Sequence, residues 1–184
     1  MKTKVMATIT AVLVLGMTQF ARATLVNWNS IVEDEIEYYI QTDKAVYDLG
    51  ENVQMLHRVT NLMNEDVTIP CSRAPEFNLW VQKDGGAIWS LIHIFKWYSP
   101  GVELAVGEPK ELSCNWDMRD DNGNLVELGI YAVVGVMYNE PWNYNNHGNY
   151  IPTEVAVPIT IIPEPAAILL LAMGIVGVRA SKSM

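Results

Sequence analysis

Residues 35–61 read EIEYYIQTDKAVYDLGENVQMLHRVTN, and the spacing of their apolar side chains decides the fold. Ile36, Tyr38 and Ile40 recur at every second position, which places them on one side of an extended chain. YDLGEN then breaks the pattern, with Gly50 free to take the positive φ of a turn. In NVQMLHRVTN the alternation returns: Val53, Met55, His57 and Val59 share one face, while Gln54, Arg58 and Thr60 share the other. A helix would need apolar residues three and four apart. The stretch therefore predicts two strands of a sheet with one buried face.

The same pattern continues toward the C-terminus. NLMNED reads as a turn and VTIP as the next strand. FNLWVQKDGGAIWSL reads as a hairpin with Phe77, Leu79 and Val81 inward and Asp84-Gly85-Gly86 at the turn. After a looser stretch, ELSCNWDMRDDNGNLVELGIYAVVGVMY supplies a strand, a hairpin turn around Asn122-Gly123 and a strongly apolar strand from Ile130 to Tyr138. EVAVPITII is a β-branched run whose Pro158 suggests an edge position. About seven short strands, with turn signals every ~8–12 residues and no amphipathic helix, predict an all-β, antiparallel sandwich. LGIY, with Gly129 two residues before Tyr131, is similar to the tyrosine corner of immunoglobulin-like sandwiches, in which the hydroxyl bonds back to upstream backbone.

The two ends differ from this domain. MKTKVMATITAVLVLGMTQFARA has two lysines, an apolar run from Val5 to Met17, and Ala21 and Ala23 at the spacing signal peptidase reads. Residues 1–23 are thus expected to form a signal-peptide helix removed after Ala23, with export by the Sec route. At the other end, Ala166 to Val178 carry no charge, but as a helix they would cover only about 20 Å. A bilayer core is ~30 Å thick. Pro163 and Pro165 oppose backward extension, and Arg179 and Lys182 follow, favouring a cytoplasmic C-terminus. Pro163-Glu164-Pro165, the short apolar helix with Gly174 and Gly177, and the basic end at Arg179 resemble the PEP-CTERM sorting signal of Gram-negative, exopolysaccharide-producing bacteria. The resemblance covers residues 163–184 and lacks the dense arginine cluster usual in that family. It implies processing by an exosortase, a transient inner-membrane tether, and a final place at the cell surface or outside the cell.

Residues 24–162 are left as one domain of ordinary size. They contain 20 acidic residues against 7 basic ones, an excess of 13, so phosphate backbones would be repelled and nucleic acid is excluded as a partner. Two cysteines, Cys71 and Cys114, lie within or beside strands in a compartment that permits oxidation. They are expected either to form a disulfide or to serve as separate buried thiols. There is no CxxC spacing to support redox catalysis or zinc.

The order of the pieces also resembles the BsuPI-type intracellular proteinase inhibitor domain. The resemblance rests on YDLGENVQMLHRVTNLMNEDVTI, FNLWV with AIW, the ELSCNWDMRDDNG block and VELGIYAV, which together span roughly residues 36 to 136. Asn61, Trp89, Trp116-Asp117, Gly129 and Tyr131 fall on framework positions of that family. It implies an immunoglobulin-like sandwich and an inhibitory activity, without assigning a reactive loop.

Catalytic patterns are missing from the sequence. There is no GxSxG elbow, HExxH, Walker loop or dinucleotide fingerprint. His57, His93 and His147 are scattered without metal-ligand spacing. In DMRDDNGN, placing Gly123 sixth in a calcium loop would make Met118 the first ligand, and a thioether offers no oxygen. The chain is therefore expected to be a non-enzymatic binding protein with neither cofactor nor metal. Its binding candidates are two segments. Residues 92–103 carry Phe95, Trp97 and Tyr98, and residues 139–150 carry Trp142, Tyr144 and Tyr150 among asparagines. Such aromatics anchor protein partners or stack on sugars, so a protease and an exopolysaccharide both stand as candidate ligands.

Overall fold

The computed structural model describes residues 26–71, 75–93, 101–138 and 152–164. The alternation at residues 36–61 becomes two neighbouring strands in it. Eleven strands are present among the described residues: β1 (Asn27–Glu33), β2 (Ile36–Thr42), β3 (Val46–Asp48), β4 (Val53–Asn61), β5 (Val67–Ile69), β6 (Phe77–Lys83), β7 (Gly86–Ser90), β8 (Val102–Leu104), β9 (Pro109–Trp116), β10 (Gly129–Met137) and β11 (Thr153–Ile162). They form a four-stranded sheet ordered β1-β2-β4-β9, a five-stranded sheet ordered β3-β11-β10-β6-β7, and a small β5-β8 ribbon. Ile36, Tyr38, Ile40, Val53, Met55 and Val59 of the first sheet meet Leu79, Val81, Val133, Val157 and Ile159 of the second in one buried cluster. The chain is all-β, and its two large sheets face each other across that core.

β4 shows how the alternation works. Val53, Met55, His57, Val59 and Asn61 are buried, while Gln54 is exposed and Leu56, Arg58 and Thr60 are half-buried. β10 is buried on both faces from Val133 to Met137, which suits its continuous apolar run. Tyr131, Val133 and Met137 point into the main core, whereas Val134, Val136 and Tyr138 pack with Trp80 and Ala132 in a second cluster on the outer face.

Four expectations need correction. First, there are more strands than the seven or so anticipated. β1 carries no strand signal in the sequence because its turn into β2 uses Asp34 and Glu35 at φ 49° and 59° rather than the Asn-Gly or Gly residues that usually mark such turns. β3 and β8 have three residues each, too few to show a period. Second, the Asn122-Gly123 turn does not join β9 and β10 as a hairpin. It is closed locally by an Arg119–Leu125 bridge, with Gly123 at φ 81°, and the chain crosses there from one sheet to the other.

Third, β11 is not a formal edge strand, since β3 lies beside it in parallel, the one exception to antiparallel pairing among these strands. That parallel pairing reaches only Thr160–Ile162. The Pro158 carbonyl accepts from Asn27 Nδ2 at 2.6 Å, and the Ala156 carbonyl accepts from Asn29 Nδ2 at 2.9 Å. In an antiparallel ladder a residue's N and O point the same way, so the donor that proline lacks falls on the side away from β10. Proline thus fits where the strand has no backbone neighbour, and two β1 asparagines close the seam between the sheets.

Fourth, Cys71 and Cys114 are free thiols. Cys71 follows β5 of the small ribbon, its Sγ donating to the Ile69 carbonyl at 3.5 Å, whereas Cys114 sits on β9 opposite Met55, so the two thiols belong to different sheets.

The aromatic framework gathers at one end of the core. Trp116 is fully buried, with Trp89 and Tyr131 at centroid distances of 6.3 and 6.1 Å, and its Nε1 donates to the Arg119 carbonyl at 2.7 Å. The Tyr131 hydroxyl donates to the Glu127 carbonyl four residues upstream at 2.7 Å, the back-bond expected of a tyrosine corner. Asn61, at the far end of β4, is fully buried. Its Nδ2 donates to the carbonyls of Glu65 and Leu104 at 2.8 and 3.1 Å, and its Oδ1 accepts from Met63 N at 2.9 Å.

His57 is a packed core residue. Its Nδ1 lies 3.0 Å from the Tyr39 carbonyl, and its ring meets Phe77 edge-on at 5.8 Å. Burial pushes its pKa down to about 4, against the pull of the Tyr39 and Val136 backbone; Nε2 itself is not in hydrogen-bonding geometry with any group. An unfolded histidine titrates near ~6.5. Between those values the unfolded chain takes up a proton that the folded one refuses, so stability falls as pH drops from about 6.5 to about 4. Chemical denaturation at pH 7 and pH 4 should show a loss of about 3 kcal/mol from this group. A His57→Asn chain should lose correspondingly less over that interval.

Candidate functional site

The two segments nominated by their aromatics depart from the same end of the sandwich. At that end lie Ile36, Asn61, Phe77, Met137 and Thr153, as the strand registers require. Residues 92–103 begin where a buried amide holds the chain. Asn78 Nδ2 donates to Ser90 Oγ at 2.9 Å and to the Ile92 carbonyl at 3.3 Å, and Ser90 Oγ donates to the same carbonyl at 2.9 Å. They return at Gly101, whose φ is +96° and whose Cα faces the Ile69 carbonyl so closely that an added Cβ would stand 2.6 Å from that oxygen. Glycine is required there on both counts.

The second segment leaves at Tyr138, whose N donates to the Glu76 carbonyl at 2.9 Å. It returns at Thr153, whose Oγ1 lies 3.1 Å from Glu33 Oε2. Cys71 and Pro75 bracket a third connection beside them. Trp97, Tyr98, Trp142, Tyr144 and Tyr150 lie outside the described residues. So do Ala21, Ala23, Pro165 and Arg179, along with both expected terminal helices. Pro163 and Glu164 are described, and they follow β11 at the opposite end of the sandwich, where Leu49 N donates to the Ile162 carbonyl at 2.9 Å. β1 also starts toward that end, at Asn27 opposite Thr42.

Among the described residues the loop end is acidic. Glu33, Asp34, Glu35 and Glu76 gather there. Burial pushes the Cys71 thiol up to about 12 and the Cys114 thiol up to about 11, so neither supplies a thiolate at neutral pH. No group of three or more His, Cys, Asp or Glu side chains suited to a metal occurs among the described residues. A groove of ≈ 410 Å³ runs along β5 and β8, lined by Asp66, Thr68, Glu103, Glu108 and Lys110 among others. Its carboxylates are exposed. In the Asn122-Gly123 turn, hydrogen bonds from Asn124 and Asn122 hold the Asp120 carboxyl below its usual value; that carboxylate ties the turn together. Among the described residues no helix is long and apolar enough to cross a membrane.

No family model matches the chain, and no curated protein does. Solved structures resemble it only distantly. A β-glucosidase, EmGH1, from Erythrobacter marinus aligns with 74% of this chain at 16% identity and a TM-score of 0.38, and the chain spans only 16% of that enzyme. The CARDB domain of the PF1109 protein from Pyrococcus furiosus aligns with 77% of this chain and 97% of its own length, at 14% identity and a TM-score of 0.39. A β-glucosidase from Listeria innocua aligns with 71% of this chain and 17% of its own, at 12% identity and a TM-score of 0.38. Likenesses this weak carry no argument about function.

One surface escaped the sequence reading altogether. Trp28, Tyr39 and Arg58 meet on the outer face of the four-stranded sheet. Tyr39 alternates with the buried Tyr38 and Ile40 on β2 and is half-buried. Trp28 lies on β1, whose turn carries no sequence signature.

Proposed function

We propose that this chain is an exported, non-enzymatic binding protein, an immunoglobulin-like β-sandwich that works through the loops at one end while a PEP-CTERM-type tail tethers the other. The observation that carries the reading is the polarity of the domain. Residues 92–103 and 139–150 start and finish at one end, and Pro163-Glu164 leaves from the other. A domain held by its tail to the inner membrane, and then delivered to the cell surface, would present those loops outward.

The BsuPI-type resemblance makes a protease the first ligand to consider. The framework residues Trp89, Trp116 and Tyr131 pack together, Asn61 is held by three hydrogen bonds, and Asn78 and Gly101 fix both feet of residues 92–103. A loop whose ends are fixed by a rigid core loses little conformational entropy on entering a protease cleft. Purified full-length chain, added in excess to subtilisin and to other secreted proteases, should slow peptide hydrolysis by at least one of them. Full activity in every case would count against inhibition. The second reading, an exopolysaccharide-matrix or adhesion module, rests on the mixture of aromatics and asparagines in residues 139–150. It expects saccharide-dependent quenching of tryptophan fluorescence that is lost on replacing Trp142 and Tyr144.

A further inference from the structure

On the outward face of β1, β2 and β4, three planar side chains stand in a column that belongs neither to the core nor to the loop end. Trp28 stacks on Tyr39, with ring centroids 5.8 Å apart and planes 20° apart. The Arg58 guanidinium lies over the Tyr39 ring, 4.3 Å from its centroid. Because β1 and β4 flank β2 on opposite sides, Trp28 and Arg58 meet opposite faces of Tyr39. Tyr39 therefore covers one face of the indole, and the 58% exposure of Trp28 leaves the other face to solvent. Gln41 is the direct partner of Trp28 across the ladder. Its Oε1 accepts the Tyr39 hydroxyl at 2.7 Å, so the amide's two N–H donors are what it has left to offer a ligand.

We infer that this face binds the sugar rings of a neutral polysaccharide, with Trp28 as the stacking plate, Tyr39 and Arg58 as its support, and Gln41 as a donor to hydroxyls beside the plate. One face of a pyranose presents C–H hydrogens of slight positive charge, which complement the negative face of an indole. The hydroxyls around the ring need polar partners next to the plate, and Gln41 and Ser30 stand there. Stacking on both faces of Tyr39 orders the column before any ligand arrives, so little side-chain freedom is lost on binding.

Charge selects a neutral ligand. The chain has a formal net charge of −9, which repels a polyanion. Arg58 is engaged by Tyr39 and by Glu37 Oε2 at 3.9 Å, and Glu111 is its partner on β9. A membrane or an apolar protein surface would need a continuous apolar patch. Val32, also exposed, is separated from Trp28 by the Ser30 row of the sheet. The face lies on the flank of the sandwich, so it stands independently of the loop readings.

The test is affinity electrophoresis of the full-length chain through gels containing dextran, glucomannan or hydroxyethylcellulose, with alginate as the anionic control. At least one neutral gel should retard the chain, and alginate should not. Trp28→Ala should weaken that retardation about tenfold or more, the loss of one aromatic stack with its buried area, with only a small fall in melting temperature, because the side chain is more than half exposed. Gln41→Ala should weaken it less, and Trp142→Ala and Tyr144→Ala serve to tell this face from the loop end. The inference is overturned if no neutral gel retards the chain or if Trp28→Ala is retarded equally. Loss confined to the Trp142 and Tyr144 variants would move saccharide binding to the loop end. Sedimentation showing a dimer that Trp28→Ala dissolves would assign the face to a second copy of the chain.

Discussion

Replacing Trp116 with alanine should destabilise the protein by about 4 kcal/mol, near the middle of the range for deleting a buried tryptophan. The indole is fully buried between the sheets. Trp89 and Tyr131 pack on it from β7 and β10, and Val53 of β4 is its cross-strand partner. Truncation opens a cavity that two large aromatic rings cannot fill without leaving their own positions. It also strips the Arg119 carbonyl of the donor it meets at 2.7 Å. Urea denaturation should show the midpoint falling with little change in slope. Trp116→Phe, which keeps much of the volume but not the N–H, should cost about half as much or less.

Gly135→Ala should be nearly as damaging, at about 3 kcal/mol or more, although it adds a single methyl group. A Cβ at Gly135 would lie 2.5 Å from His57 Nδ1 and 2.6 Å from its Cγ. The ring cannot swing aside easily, being packed against Phe77 and held at the Tyr39 carbonyl. Nothing in the backbone of Gly135 demands glycine, since its φ is outside the left-handed region. The requirement comes wholly from the histidine on the facing sheet. Thermal or urea unfolding of the variant measures the cost.

These two residues mark how far the sequence can be read. Alternation at Ile36, Tyr38, Ile40 and along β4 is a local property, and it predicted the facing sheets correctly. The Asp84-Gly85 turn was legible because its φ values of 52° and 80° suit the residues found there. The turn at Asp34-Glu35 has the same geometry with residues that do not advertise it, so β1 was hidden and Trp28 with it. Pro158 suggested an edge strand, but β11 lies between β3 and β10, and the stretch around Pro158 is open only because the pairing with β3 covers no more than Thr160–Ile162. The pairing of His57 with Gly135 joins positions 78 residues apart and has no local trace.

The candidate site was legible in a different sense. Aromatics in residues 92–103 and 139–150 stood out by composition, but only the strand order brings the ends of both segments to one pole. The two cysteines suggested a bridge by their number, but Cys71 follows β5 of the small ribbon and Cys114 lies on β9 of the four-stranded sheet.

The account depends most on two sheets that face each other with β4 opposite β10. A double-mutant cycle between His57 and Gly135 tests that arrangement directly. In the His57→Ala background the added methyl at position 135 has room, and Gly135→Ala should then cost less than about 1 kcal/mol, giving a coupling above ~2 kcal/mol. If the two substitutions add to within about 0.5 kcal/mol, the ring and the glycine are not in contact and the facing of the sheets described here is wrong.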